Sequence, residues 1–470
     1  VSVAEPELTI KHGVVAVGTG SAGIVTGTTG TWAAAGSSGA SFTGSITDLA
    51  AVDGTVTNID GGDLVRLATA IENTGGLGAF DVATTVTLPA GFAFSGGDLA
   101  AANLAIYRGN GTALVLGTDY SVSGATITFL DAAGQPTLLP GRTGTATDTS
   151  GANVVVITYD VVASATVAAS ASLQTSAALN YYSSVDGGPD FTPGVDPLDT
   201  ADQTIAAPVV TKFFANGTLT SDDSSATHTT GADLVIGESM LYDIVVTLSE
   251  GTTQSLRIND LIPAGMTLDT SFDTIGYQII TATAGSGALS ANFAGSIGSI
   301  SAVTAGGDGA DLALTFSSAA ATADNNAGNN SFVVRVRLIA SNVTGNQAGV
   351  TRPNSAQIIY SDPDGDTPNG STALDRTVAL SGSQPSITVR EPTLTVTQTQ
   401  TNNGGPLGVD RNDEITYTIT IRNDSGINAF DIGFLDNAPS QLIFSEAGFG
   451  LQSLTYAGGA TNNGGADFVV

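Results

Sequence analysis

The chain has 470 residues, of which 43 are acidic and 13 basic, giving a net charge of -30 at pH 7. A surface this acidic repels phosphate backbones and anionic lipid, so no nucleic acid partner is expected. The sequence has no cysteine, which excludes disulfides and cysteine-based metal or nucleophile sites. No apolar run reaches the roughly 18 residues that a membrane-spanning helix needs, so no transmembrane segment is predicted.

The composition is typical of extended extracellular β proteins. Only 12% of residues are charged, 59 are glycine, and 41% are hydrophobic, which is enough apolar content for each of several domains to bury a core. Glycine and serine enrichment also marks disordered chains. Alternation of apolar and polar residues continues through most of the sequence, however, and this favours folded β structure.

The first ten residues, VSVAEPELTI, are repeated near the other end as ITVREPTLTV (387–396), and more loosely as TIAAPVVTK (204–212). In each copy a proline stands between two short strands. Proline interrupts ladder pairing and stiffens a junction, so these segments are interpreted as domain boundaries. The three prolines are Pro6, Pro208 and Pro392.

The boundaries predict three domains. Residues 1–206 form the first and include a Gly/Ala/Ser/Thr-rich insertion at 18–44, residues 207–389 form the second, and residues 390–470 form the third. The third is much shorter than the others, so we expect it to be an incomplete sandwich. Its remaining strands would come from chain beyond Val470 or from a neighbouring subunit.

A second repeat lies inside the domains. IENTGGLGAFDV (71–82) is matched by IRNDSGINAFDI (421–432) at a constant offset of 350 residues. Both copies follow a segment with period-2 alternation, which predicts an antiparallel strand followed by a turn. Short strands at this spacing, with almost no helical periodicity, predict an all-β fold of tandem immunoglobulin-like antiparallel β-sandwich domains.

Two longer stretches carry a family resemblance. IGESMLYDIVVTLSEGTTQSLRINDLIPAGMTL (236–268) and RNDEITYTITIRNDSGINAFDIGFLDNAPSQLIF (411–444) resemble the bacterial conserved-repeat domains of large surface proteins, which are grouped with fimbrial isopeptide-forming domains. The resemblance implies tandem immunoglobulin-like sandwiches on envelopes or appendages. The first domain departs from the pattern, because Val86 stands where the others have Asp260 and Asp436.

The resemblance also implies a covalent crosslink. In isopeptide-forming domains a first-strand lysine is joined to an asparagine on a late strand, with a buried acid assisting proton transfer. Both lysines of this chain lie in the first strand of a domain. The alternative is that they are ordinary surface lysines. The implied set in the second domain is Lys212, Asn354 and either Asp243 or Asp260; in the first domain Lys11 would face Asn180.

A second group of candidate site residues consists of aspartates in turns. Alternate carboxylates in a Gly- and Pro-containing loop supply the oxygen ligands that Ca²⁺ prefers, so calcium is predicted as a possible cofactor. The alternative is a loop whose aspartates accept hydrogen bonds from local backbone amides. The residues are Asp362, Asp364, Asp366 and Asn369 in the second domain, and Asp186, Asp190, Asp196 and Asp199 in the first.

Catalytic patterns are not evident. The two histidines, His12 and His228, are far apart in sequence and are expected to be solvated residues at strand ends. A carbohydrate-active enzyme would need paired carboxylates in an aromatic-lined cleft, and the chain is only 6% aromatic with one tryptophan.

The sequence therefore favours a non-catalytic structural protein at the bacterial cell surface. It would be a self-assembling subunit of an envelope layer, fibre or appendage, with self-association or neighbouring repeats of the same protein as partners. The alternative is an adhesin stalk that presents a ligand-binding tip lying outside these residues.

Overall fold

A computed structural model describes residues 3–27, 52–131, 134–148, 150–215, 232–363, 374–402, 408–411, 413–427, 429 and 432–437. These residues form β-strands joined by turns, with single 3₁₀ turns at Phe272–Thr274 and Ala327–Asn329 and no α-helix among them. No helix in the described part is long and apolar enough to cross a membrane. The chain divides into two compact units, Val1–Glu391 and Pro392–Val470.

The first unit begins with a sandwich of two mainly antiparallel sheets. One sheet has the order β1-β4-β12-β6, with β7 also paired to β12, and the other has the order β2-β3-β14-β13-β5-β9-β8. The strands are β1 Leu8–Val17, β2 Ile24–Thr26, β3 Thr55–Ile59, β4 Leu64–Asn73, β5 Phe80–Thr87, β6 Phe92–Phe94, β7 Ala105–Arg108, β8 Tyr120–Ser123, β9 Thr126–Phe129, β10 Arg142–Thr143, β11 Ala146–Thr147, β12 Val154–Ala163, β13 Ser172–Ser183 and β14 Leu198–Ile205.

Period-2 alternation explains this core. Alternate residues of a strand point to one face, so Val65 and Leu67 of β4 meet Val82 of β5 and Leu179 of β13 from the opposite sheet. All four are fully buried. Burial of one such side chain contributes about 1.5–3 kcal/mol, which is why the alternating apolar positions determine the strand faces.

A second sandwich follows in the same unit. Its first sheet has the order β15-β17-β25-β19, with β20 on β25, and its second the order β21-β24-β18-β23-β22, with β27 joining β18 to β28. A third, small sheet has the order β16-β29-β26. The strands are β15 Val209–Phe214, β16 Asp233–Val235, β17 Ser239–Thr247, β18 Gly251–Leu261, β19 Met266–Leu268, β20 Tyr277–Ile280, β21 Gly295–Ile297, β22 Ile300–Thr304, β23 Leu312–Phe316, β24 Ser318–Ala321, β25 Ser331–Ala340, β26 Thr351–Pro353, β27 Ser355–Ser361, β28 Arg376–Ala379 and β29 Ser386–Arg390.

The two sandwiches have separate hydrophobic cores and a close junction. Ala168 forms a parallel bridge with Thr252, and the Gly61 amide donates to the Glu250 carbonyl oxygen at 2.9 Å. Gly251 adopts φ 117°, and a Cβ at this position would lie 2.4 Å from the carbonyl oxygen of Val167. Only glycine accommodates both the backbone conformation and this contact, so the junction depends on residue 251.

The second unit contains a long antiparallel hairpin of β30 Leu394–Asn402 and β31 Ile415–Asn423. Leu394 pairs with Asn423 in the register with which Leu8 pairs with Asn73 in the first sandwich. Each asparagine also begins the same turn: Asn73 Nδ2 donates to the Leu77 carbonyl at 2.7 Å, and Asn423 Nδ2 donates to the Ile427 carbonyl at 2.5 Å. The sequence repeat is therefore a structural repeat.

The fold class predicted from the sequence is confirmed: the described chain is all-β and consists of antiparallel, immunoglobulin-like sandwich sheets. The division into domains 1–206, 207–389 and 390–470 stays a prediction. Most of the Gly/Ala/Ser/Thr-rich insertion, from residue 28 onward, lies outside the described residues.

Candidate functional site

The strongest candidate site surrounds Lys212 on β15. In this strand Val210 and Lys212 point into the second core, while Phe213, on the other face, is 52% exposed. The Lys212 side chain is 0% exposed. Its Nζ forms an ion pair with Asp260, donates to the Ser355 carbonyl oxygen at 3.1 Å, and lies 5.1 Å from the ring centroid of Tyr242. A lysine with no access to water is rare unless it is paired.

Asp260 reaches this point from the opposite sheet. It lies near the end of β18 and points inward, so that its side chain is also 0% exposed. Lys212 and Asp260 therefore connect the two sheets through the core. Two buried charges in such surroundings carry a large desolvation cost, and a sandwich core could be filled by apolar residues instead. Stability alone therefore does not account for the pair.

Asn354 completes the group. It directly precedes β27, is fully buried, and lies close enough to the Asp260 carboxyl to lower the pKa of that group. Among the described residues, neither polar atom of the Asn354 amide, nor the second carboxylate oxygen of Asp260, has a partner with hydrogen-bond geometry. A buried amide without such partners costs about 1–3 kcal/mol, so its placement beside Lys212 and Asp260 requires an explanation.

Burial shifts the pKa values of Lys212 and Asp260 in the directions that favour their neutral forms. Desolvation lowers the pKa of Lys212 to about 8, although the Asp260 carboxylate acts in the opposite direction. Desolvation raises the pKa of Asp260, and this effect is partly offset by Lys212. Transfer of one proton from the amine to the carboxylate would leave a neutral, nucleophilic lysine beside a carboxylic acid.

The structure distinguishes the two acids that the sequence left open. Asp243 pairs across the sheet with Phe213, so it lies on the face opposite Lys212. Arg335 holds it there: Nε donates to Oδ1 at 2.7 Å and Nη2 to Oδ2 at 2.8 Å. Asp260 is therefore the acid that meets the lysine. Period-2 alternation along β15 and β17 could have shown this from the sequence.

The first sandwich has a different arrangement. Lys11 is partly exposed and lies 3.3 Å from Asp53, while Asn180 donates to Asp196, so Lys11 and Asn180 are not brought together. The inward position is taken by the next residue, His12. The expectation that His12 is a solvated strand-end residue was wrong, because it is fully buried.

The His12 ring links the two sheets of the first sandwich. Nδ1 lies 2.9 Å from Thr69 Oγ1 on β4, and Nε2 lies 3.0 Å from Thr175 Oγ1 on β13. Burial lowers the pKa of His12 to about 4, so the ring is neutral at pH 7. Alternation with Leu8, Ile10 and Val14, all buried, is the sequence signal that identifies its face. His228 lies outside the described residues.

The predicted calcium loop of the second sandwich is described only at its start. Asp362 Oδ2 accepts a bond from Arg376 Nη1 at 2.5 Å, and this ion pair already neutralises the carboxylate. Asp364, Asp366 and Asn369 lie outside the described residues.

In the first sandwich the structure gathers a different acidic set. Asp186 lies with Asp81 and Asp131, and one carboxylate oxygen of each falls within 4.8 Å of the others. Ser183 and the Gly187 amide donate to Asp81, so protein donors already occupy part of this cluster. Calcium binding stays a prediction. The other three predicted residues bond elsewhere: Asp190 to Thr192, Asp196 to Asn180, and Asp199 to the His12 amide.

No family model matches the sequence, and no curated protein matches it. Among solved structures, the chain is similar to the C-terminal domain of the Streptococcus agalactiae AgI/II polypeptide BspA, at 11% identity over 72% of this chain and 95% of that one, with a TM-score of 0.23. It is also similar to the major pilin subunit BcpA of Bacillus cereus, at 10% identity over 62% and 65%, with a TM-score of 0.24.

A third similar structure is the N-terminal domain of the Streptococcus gordonii adhesin Sgo0707, at 7% identity over 70% of this chain and 60% of that one, with a TM-score of 0.22. Similarity at this level carries no functional argument.

Proposed function

We propose that this chain is a non-catalytic structural protein of the bacterial cell surface, a self-assembling subunit of an envelope layer, fibre or appendage. Its second sandwich would be crosslinked by an amide bond between Lys212 Nζ and Asn354 Cγ. One observation carries the crosslink: a lysine, an acid and an asparagine, all fully buried, meet between the two sheets.

The bond would form in a single intramolecular step. Neutral Lys212 Nζ attacks the side-chain carbonyl carbon of Asn354, the Cγ–Nδ2 bond breaks, and ammonia leaves. Protonated Asp260 donates its proton to the carbonyl oxygen as negative charge develops there, and the resulting carboxylate takes a proton from the attacking nitrogen and delivers it to the leaving nitrogen. The oxygen returns its proton to Asp260 as the carbonyl re-forms and ammonia departs. No oxidant or cofactor is required, and each chain reacts once without turnover, so the crosslink does not require enzymatic activity.

The crosslink suits a protein that must resist mechanical force. It would join β15, at one end of the sandwich sequence, to the residue that precedes β27, near the other end. A chain without cysteine cannot use disulfides for this purpose. The close junction between the two sandwiches also restricts their motion relative to one another.

Intact-mass spectrometry of the denatured protein tests the crosslink. We expect a mass below that of the sequence by one ammonia, about 17 Da, as the chemistry of amine attack on an amide requires. Lys212→Met, Asn354→Ala and Asp260→Asn should each restore the full mass for their sequences. Lys11→Met is the matched control and should keep the deficit. A full mass in the parent protein would exclude the bond.

The adhesin stalk remains the alternative function, since a stiff array of crosslinked sandwiches would serve either role. A stalk is monomeric in isolation, whereas a polymer subunit self-associates. Analytical ultracentrifugation over a range of concentrations distinguishes them.

A further inference from the structure

The first sandwich contains a buried polar cluster that the crosslink at Lys212 does not use. Its members come from β1, β4, β13 and β14, and none is more than 1% exposed: His12, Thr69, Thr175 and Gln203. Thr175 is at the centre. Its Oγ1 lies 3.0 Å from His12 Nε2 and accepts a hydrogen bond from Gln203 Nε2, also at 3.0 Å. A hydroxyl group is therefore held between an imidazole and a carboxamide, shielded from bulk water.

Gln203 presents a side-chain amide to this hydroxyl. Thr175 pairs with Ala201, two residues before Gln203 on β14, so the Thr175 and Gln203 side chains lie on the same face of the sheet. Gln203 Nε2 is bonded directly to Cδ, so the hydrogen bond places Thr175 Oγ1 next to the carbon that a nucleophile would attack. The amide oxygen Oε1 is buried and has no partner with hydrogen-bond geometry among the described residues. Buried polar atoms usually have such a partner, so hydrogen bonding alone does not account for a glutamine here.

His12 is placed to take the Thr175 proton. In the tautomer with the ring proton on Nδ1, this nitrogen donates to Thr69 Oγ1 at 2.9 Å, and Nε2 accepts the hydroxyl proton of Thr175. Burial lowers the pKa of His12 to about 4, so Nε2 keeps its lone pair throughout the neutral pH range. A base this weak removes a hydroxyl proton slowly. A reaction that each chain undergoes only once tolerates a slow step.

The two sandwiches place these groups at equivalent positions. The residue two positions after Thr175 pairs with Val86, and the residue two positions after Asn354 pairs with Asp260. Because Val86 stands where the second sandwich has Asp260, Thr175 occupies the position of Asn354. Both sandwiches thus bury a nucleophile and a side-chain amide at the same level between their sheets, with different chemistry in each.

We propose that the first sandwich is crosslinked by an ester bond between Thr175 Oγ1 and Gln203 Cδ, formed with His12 as the general base. Thr175 Oγ1 attacks Cδ while its proton passes to His12 Nε2. The Cδ–Nε2 bond of Gln203 then breaks, His12 gives the proton to the leaving nitrogen, and ammonia departs. A hydroxyl and a carboxamide become an ester and ammonia, and no oxidant, metal or cofactor takes part. Exclusion of water protects the buried ester from hydrolysis.

The ester would hold the strand that carries the chain toward the second sandwich. β14 ends at Ile205, three residues before Pro208 at the junction. Force transmitted along the chain from the second sandwich therefore acts on β14, which is otherwise held by noncovalent pairing with β13 and β3. This inference goes beyond the crosslink at Lys212 and does not depend on it.

Intact-mass spectrometry of denatured variants tests the ester. The Lys212 crosslink by itself accounts for one lost ammonia. With the ester as well, the parent chain is lighter by two, about 34 Da, and Lys212→Met is still lighter by one. In the Lys212→Met background, Thr175→Val, Gln203→Leu and His12→Gln should each restore the full mass. Thr175→Ser keeps a hydroxyl and should keep the deficit, as should the matched control Gln174→Leu, at an exposed position of β13.

Neutral hydroxylamine identifies the type of bond. It opens an ester and leaves an amide intact, so in denatured Lys212→Met it should remove the deficit and convert residue 203 to a hydroxamate. This measurement changes nothing in the first sandwich, so it holds even if a variant there fails to fold. A full mass in Lys212→Met, a deficit that survives Thr175→Val, or one that hydroxylamine does not remove would overturn the proposal.

The same masses separate the two crosslinks. A single lost ammonia in the parent that is restored in Lys212→Met would exclude the ester and leave the Lys212 crosslink in place. A single lost ammonia that persists in Lys212→Met and is restored by Thr175→Val would support the ester and exclude the Lys212 crosslink.

Discussion

Replacing the buried ion pair as a unit is the sharpest perturbation of the candidate site. The double substitution Lys212→Met with Asp260→Leu removes both charges and keeps the core apolar and filled. If no crosslink exists in the parent protein, exchanging a buried pair for apolar residues is neutral or stabilising, by up to about 4 kcal/mol. If the crosslink exists, the variant loses it, and the substitution destabilises the second sandwich instead.

The size of that loss follows from the chain entropy of the unfolded state. A bond from Lys212 to Asn354 closes a loop of roughly 140 residues, for which the loop-closure relation gives about 5 kcal/mol at 25 °C. Removal of the buried charged groups offsets up to about 4 kcal/mol of this loss, so the free energy of unfolding should fall by about 1–5 kcal/mol. A domain of this size shifts its Tm by about 2–4 °C per kcal/mol, so the Tm of the second sandwich should fall by several degrees and by up to about 20 °C.

Scanning calorimetry, combined with hydrogen exchange of the β17 and β25 amides, reports on the second sandwich specifically. The control is the double substitution Asp243→Leu with Arg335→Met, which removes a neighbouring pair on the opposite face of the sheet and has no bond to lose. The control should leave the Tm unchanged or raised. An unchanged or raised Tm in the Lys212 variant would refute the crosslink.

Three further predictions concern other parts of the molecule. The pKa of His12 is lowered from 6.5 to about 4, so between pH 6.5 and pH 4 the unfolded state binds a proton that the folded state does not. The free energy of unfolding of the first sandwich should therefore fall by up to about 3 kcal/mol over this range. Denaturant unfolding measures this pH profile, and His12→Gln should flatten it. Gly251→Ala should loosen the sandwich junction by about 1–3 kcal/mol, visible as faster exchange of the Gly61 amide, whereas Gly307→Ala, which meets no atom within 4 Å, should not. Calcium added after chelation should raise the Tm, and Asp186→Asn should reduce the increase; identical melting curves with and without chelator would contradict the calcium prediction.

Local patterns in the sequence predicted the strands and their faces. Alternation in segments such as 64–71 and 415–421 identified β4 and β31, and the 350-residue offset predicted a hairpin repeat that the structure reproduces in the same register. These features are determined by residues close together in the chain, because strand faces follow period 2 and turns follow the placement of asparagine and glycine.

The same alternation also determines the strand faces of His12 and Asp243. His12 falls in the apolar series of Leu8, Ile10 and Val14, so its burial was available from alternation alone. The expectation that it is solvated rested on the lack of a paired ligand pattern, which carries no information about the strand face on which a residue lies. The face of Asp243 also follows from alternation once β15 is paired with β17, because Asp243 then lies opposite Phe213 and on the face away from Lys212.

The sequence by itself determined the all-β class, the repeat and the set of residues from which a crosslink could be made. Only the tertiary structure decided that Asp260 meets Lys212 and that Asn354 is buried beside both. The physical reason is that these relations depend on packing between sheets and on distant strand pairing. A contact between sheets such as Lys212–Asp260, which joins residues 48 positions apart, leaves no periodic signal in the chain, whereas the faces of a single strand do.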